Sequence, residues 1–164
     1  MLFVTACALV VAGCVLKHPS NPATSGADQW FKQHGDDARL LMTTALVVVS
    51  PPANIGVPAY DEACSALQSR AQAAQKLPPI PSKTLQFQWQ SGLKFFELGG
   101  TDCLASIANT DPSKWQNNNT LRDTARDDVT FGQIRLQSVM TALGSNANPL
   151  PQGVQMPGRT IPLK

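Results

Sequence analysis

The sequence predicts an all-α protein, an antiparallel up-down-up-down four-helix bundle with one inter-helix disulfide. Three observations carry that prediction. Four long segments space their apolar residues alternately three and four apart, the period of a helix that buries one stripe. Clusters of proline, glycine and asparagine separate these segments, so each helix must stop before the next begins, and connections of about ten residues or fewer favour antiparallel neighbours. Of four cysteines, Cys64 and Cys103 fall one each on the two central stripes.

The chain opens on Val11-Ala12-Gly13-Cys14, a lipobox. Leu2 to Ala12 is apolar or small throughout, and at roughly half of the ~20 residues a spanning helix needs it reads as the h-region of a secretory signal. Residues 1–13 are therefore expected to be a lipoprotein signal peptide. Cleavage before Cys14 makes that thiol the lipid attachment site, carrying a diacylglyceryl group with palmitate-type chains. A buried first strand or helix of a cytosolic domain is the competing reading. Against it, small residues stand where a signal peptidase needs them, and residues 14–26, with Pro19, Asn21, Pro22, Ser25 and Gly26, have the composition of a tether. The only positive group ahead of the h-region is the amine of Met1, which implies a start upstream of Met1 or a weak signal.

Residues 27–144 form the expected bundle. In the first helix Trp30, His34, Ala38, Leu41, Ala45 and Val48 share one stripe, and Ser50-Pro51-Pro52 ends it. The β-branched run at Val47-Val48-Val49 suits a strand locally, but no hairpin signal follows, so the helix continues through it. A second helix from about Ala59 to Lys76 has the stripe Tyr60, Cys64, Leu67, Ala71 and Ala74, with Asp61 and Glu62 in its first turn and Arg70 and Lys76 toward its end. Leu77-Pro78-Pro79-Ile80-Pro81 must then run extended.

The third helix, about Ser82 to Ala108, shows the cleanest period: Trp89, Leu93, Phe96, Gly100, Cys103 and Ile107. Gly99-Gly100 in its middle predicts a kink or a close helix contact. Thr110-Asp111-Pro112 reads as a cap opening a short turn through Trp115, and Gln116 to Asn119 as a polar loop. The fourth helix is placed at about Thr120 to Leu143, with Leu121, Ala125, Val129, Gly132, Leu136, Val139 and Leu143 on one face and Gly144 as its terminator. Residues 145–164, a Pro/Gly-rich C-terminal tail, have no period.

With Cys7 lost in the signal and Cys14 acylated, two thiols remain in an exported domain, which points to one disulfide, with a pair of buried free thiols as the alternative. Cys64 lies about 18 Å and Cys103 about 28 Å from the connection between their helices at 1.5 Å per residue. A tight turn forbids the bond. An extended proline-rich connection of up to ~20 Å offsets the mismatch of roughly 10 Å.

Composition excludes several functions. Charged residues make up only 15% and the net charge is +2, so no basic field exists to hold a nucleic acid. No HExxH, CxxC, phosphate-binding glycine loop or GxSxG occurs, and no nucleophile has a base at readable spacing, so an enzyme is not expected and no cofactor or metal is assigned. His34 sits on a stripe with Asp37 three residues on, able to hold one ring nitrogen; a ligand contact or a general base is one reading and a satisfied, partly buried histidine the other. Trp30, Trp89 and Phe96, with Phe95, line an apolar ligand pocket in one reading and form core in the other. Asp36-Asp37 and Asp127-Asp128 are adjacent acids about 100° apart on helices, expected on solvated faces and not as dyads.

The lipobox, the proline-bearing tether, the Trp30-x-x-x-His34 start, single cysteines on two helices joined by Leu77-Pro78-Pro79-Ile80-Pro81, and a final amphipathic helix resemble the small helical cell-envelope lipoproteins of mycobacteria and related actinobacteria, including phage-borne ones. The likeness covers roughly residues 11 to 144. It implies a build and a place, lipid-anchored at the outer face of the cell membrane, and brings no catalytic residues with it. The function expected is a non-enzymatic envelope protein binding an unknown partner or envelope component. The alternatives are a carrier of lipid or haem between the helices and a phage superinfection-exclusion lipoprotein.

Overall fold

The computed structural model describes residues 22–108 and 115–144. The expected signal peptide, Cys14 with most of the expected tether, the expected cap at Thr110-Asp111-Pro112 and the Pro/Gly-rich stretch after Gly144 lie outside the described residues. Those described form four α-helices and, among them, no strand: α1 (Pro22–Val49), α2 (Val57–Ala74), α3 (Lys83–Ala108) and α4 (Trp115–Ala142). Each helix packs on two others in the cyclic order α1, α2, α3, α4, with the tightest seam between α3 and α4. Paired residues run in opposite directions along each successive contact. Val48 meets Tyr60 while Trp30 meets Pro78 just past α2; Cys64 meets Cys103 while Gln75 meets Glu97; Phe95 meets Phe131 while Gln88 meets Arg135.

The helical stripes are buried as their periods require. Ala38, Leu41, Ala45 and Val48 of α1, Cys64, Leu67, Ala71 and Ala74 of α2, Leu93, Phe96 and Cys103 of α3, and Ala125, Val129, Leu136 and Val139 of α4 form one continuous core. Val48 is buried at the end of α1, so the β-branched run is helical because its place in the stripe outweighs a local preference of a few tenths of a kcal/mol.

Helix ends depart from the sequence expectations in three places. First, α1 begins at Pro22, five residues before Ala27, so the last part of the expected tether is helix; proline suits a helix start, where its missing N–H has no intrahelical partner. At the other end of that connection, α2 starts at Val57 behind Gly56, which puts Asp61 and Glu62 beyond its first turn, and stops at Ala74, before Lys76. The third departure is that Gln116 to Asn119 is not a loop, since α4 already runs from Trp115. Gly99-Gly100 lies within an unbroken α3 and serves as a close helix contact, one of the two outcomes its glycines predict. Gly144 ends α4 as expected, with φ at +72°, a backbone conformation that side chains disfavour.

The Gln75–Ser82 connection takes the place of α2 in the lower third of the bundle. The Trp30 indole Nε1 donates to the Pro78 carbonyl at 2.6 Å, a Cβ on Gly26 would lie 3.3 Å from Pro81, and Ile80 is buried. Gln86 Oε1 accepts from the Ile80 N–H at 2.7 Å, and Ser82 opens α3. The chain thus descends alongside the bundle before α3 turns back up.

Candidate functional site

That descent is what allows the disulfide. Cys64 lies ten residues before the end of α2 and Cys103 twenty after the start of α3, an offset of about 15 Å that a tight turn would leave in place. With α3 starting lower, the two Cα atoms stand 5.8 Å apart, within the range a disulfide needs, and Cys64 and Cys103 are bonded and fully buried. Directly below, a Cβ on Gly100 would lie 2.9 Å from Gln68 Cβ and 3.2 Å from the Cys64 carbonyl, so the glycine lets α2 and α3 approach closely enough for the bond.

The aromatic residues divide into two sites. Trp30 and Trp89 meet edge to face with centroids 5.2 Å apart, and the His34 ring lies 5.1 Å from Trp30 on its outer side, half-buried. Phe96 is two turns further up α3, packed against Gly132 of α4, where a Cβ would fall 2.5 Å from its ring. Trp30, Trp89 and Phe96 are all buried, and the indole of Trp30 is satisfied by Pro78, so they fill the interior as core. Asp37 is exposed; it edges a shallow depression between α1 and α2 with Leu41, Arg70 and Leu77. The four residues singled out as ligand contacts are therefore not gathered on one cavity.

A polar cleft does open where α2 ends, between Gln75, Leu77, Gln86, Trp89, Gln90, Lys94 and Glu97. Lys94 donates to Glu97 at 2.9 Å, and this hydrogen bond holds the Glu97 carboxyl below its ordinary range, with a weaker contribution from Gln75. An apolar groove lies at the opposite end of the molecule, between Val57 and Pro58 of α2 and Leu104, Ile107 and Ala108 of α3, with Asp61 at its edge. Of the paired acids, Asp36, Asp37 and Asp127 are exposed as expected, whereas Asp128 is buried, turned inward on the face of α4 beside Val129. Asp36 instead forms an exposed ion pair with Arg39.

No family model, curated protein or solved structure matches this chain.

The seam between α3 and α4 was the least legible feature. Gly92, Gly99 and Gly132 sit where the helices cross: a Cβ on Gly99 would lie 2.5 Å from Val129 Cγ2 and 2.9 Å from the Ala125 carbonyl, and one on Gly132 would lie 3.0 Å from the Gly92 carbonyl. Gly92 and Gly99 recur at a spacing of seven, the signal that could have marked this face. Among the described residues no group of three or more His, Cys, Asp or Glu side chains is placed to hold a metal ion, and no helix is long and apolar enough to cross a membrane.

Proposed function

We propose that this chain is a lipid-anchored, non-enzymatic envelope protein that holds a disulfide-bonded helical bundle at the outer face of the membrane and binds a partner or envelope component there. The observation that carries the reading is the lipobox ending at Cys14, followed within eight residues by the first helix of a folded domain. A disulfide buried in that domain supports export, because such bonds persist in oxidising compartments. A diacylglyceryl thioether places two acyl chains in the bilayer at about 0.8 kcal/mol per buried methylene, enough for lasting attachment.

The packing of Trp30, Trp89 and Phe96 favours surface binding over carriage of a ligand between the helices, since their rings occupy the interior a cargo would need. Intact mass of the protein purified from an actinobacterial envelope, before and after reduction and alkylation, tests the reading. The expected species lacks residues 1–13, carries a diacylglyceryl group and exposes two alkylatable thiols only after reduction. A full-length mass with free thiols would overturn it.

A further inference from the structure

Phe95 and Phe131 are buried where a four-helix bundle has its outside. On α3, Gly92, Phe96 and Gly99 face α4 and the core, and Phe95 lies about 100° round the helix from Phe96, on the flank away from α2. Ser91, one turn before Phe95, faces the same way. On α4, Phe131 lies about 100° from Gly132, which packs on Phe96, and so falls on the matching outer flank. Neither phenylalanine belongs to the continuous core. Yet Phe95 is only 2% exposed, Phe131 6% and Ser91 8%. The two rings meet with centroids 5.3 Å apart, which covers one face of each. No third described helix lies over the remaining faces, because α3 packs on α2 and α4, and α4 on α3 and α1. Phe87, four residues before Ser91 on the same flank, is 53% exposed and shows how this surface stands where nothing covers it.

We infer that residues 145–164 fold back along the outer flank of the α3–α4 seam and cover Ser91, Phe95 and Phe131 as a strap. Three stretches lie outside the described residues, and chain length separates them. Residues 109–114 allow seven steps between Ala108 and Trp115, at most about 25 Å. The phenylalanines lie thirteen and sixteen residues below those helix ends, about 20 and 24 Å, so a descent and return is out of reach. At the N-terminus the elimination rests on the anchor reading, which removes residues 1–13 and holds Cys14 in the bilayer. Eight steps from Cys14 to Pro22 span at most about 28 Å, too short to rise the roughly 18 Å from the start of α3 to Phe95 and come back.

The C-terminal stretch reaches easily. Gly144 stands thirteen residues after Phe131, about 20 Å below it, and its left-handed backbone ends α4 and lets the chain turn back. Six extended steps, about 20 Å, then bring Leu150 level with the rings. Beyond it come Val154, Met156, Ile161 and Leu163 to lie on an apolar surface. Prolines at 149, 151, 157 and 162 keep such a segment extended and remove N–H groups that would otherwise need partners there. Charge agrees as well: the stretch carries Arg159 and Lys164 and no acid, while Asp128, at the edge of the seam, is the one buried ionisable side chain among the described residues.

Thiol accessibility in the acylated full chain tests the strap. Ser91→Cys changes little in volume and leaves the Cys64–Cys103 bond in place. Maleimide should modify that thiol several-fold more slowly than the thiol of Phe87→Cys, on the open part of the same flank. Ending the chain after Gly144 should raise the Ser91→Cys rate several-fold. A diazirine amino acid in place of Leu150 in the full chain should crosslink to residues 91–98 or 127–134, and this reading needs no shortened protein to fold. Fast modification of Ser91→Cys in the full chain, an unchanged slow rate in a shortened chain that keeps its helical circular dichroism, or crosslinks from position 150 only to other regions would overturn the strap. An intact mass without the diacylglyceryl group would overturn the anchor instead, and crosslinks to the seam would still uphold the strap.

Discussion

At the scale of single residues, the decisive positions are those where a side chain meets backbone across a helix contact. Tyr60 donates its hydroxyl to the Val48 carbonyl at 3.1 Å, tying the start of α2 to the end of α1. Burial raises its pKa above the ordinary 10.0, partly offset by Arg122 and Arg126. The protonated form is thus favoured in the folded state. The stability this adds is fully present below pH 10 and is lost as pH rises through the folded-state value. Tyr60→Phe should cost about 1 kcal/mol at neutral pH and flatten the alkaline decline, measured by urea denaturation at pH 7 and above pH 10. At Gly99, alanine gains roughly 1 kcal/mol of helix propensity but forces its Cβ against the Ala125 carbonyl, an overpacking cost of about 1–3 kcal/mol. Backbone cannot yield as a flexible side chain can. Gly99→Ala should therefore destabilise by up to about 2 kcal/mol net, and a gain in melting temperature would show that α3 and α4 lie further apart than described.

At the scale of elements, the Gln75–Ser82 connection behaves as part of the bundle. Its prolines keep it extended, and Ile80 is only 3% exposed. Ile80→Ala should cost about 3 kcal/mol, the loss expected of a core residue and not of a loop residue, readable as a shift of the denaturation midpoint. The Cys64–Cys103 bond joins two elements across 39 residues, which in the chain-entropy model adds about 4 kcal/mol. The double variant Cys64→Ala, Cys103→Ala should lose about that much, and the wild type should lose a similar amount on reduction. If removal costs less than about 1 kcal/mol, the two helices are already held by the α2–α3 packing and the disulfide adds little. Stripes of four helices were legible in the sequence because burial repeats with the helix period. Helix ends were less so: Gln116 to Asn119 look like a loop by composition, yet they continue α4.

At the scale of the whole molecule, the bundle has a direction. Both described chain ends point one way, and the α1–α2 connection and the apolar groove point the other. A protein anchored at Cys14 would keep the end where Pro22 starts α1 nearest the bilayer and present the far end to the surroundings. Releasing it should require detergent and not high salt, because about 0.8 kcal/mol per methylene of acyl chain is insensitive to ionic strength; extraction by salt alone would count against acylation.

What the sequence determined by itself, among the described residues, was the number of helices, most of their buried residues and the cysteine pair. These are local or periodic properties, and a chain read in order displays them. Tertiary structure decided the rest. Trp30, His34, Trp89 and Phe96 looked like one candidate set because they share stripes, but a stripe says only that a residue faces inward and nothing of its height, and Phe96 lies two turns above the Trp30–Trp89 pair. Asp128 looked solvated beside Asp127 and is buried, since the wide contact between α3 and α4 covers more of α4 than one stripe. The close approach at Gly92, Gly99 and Gly132 depends on which two helices cross there, a fact that only their relative placement supplies.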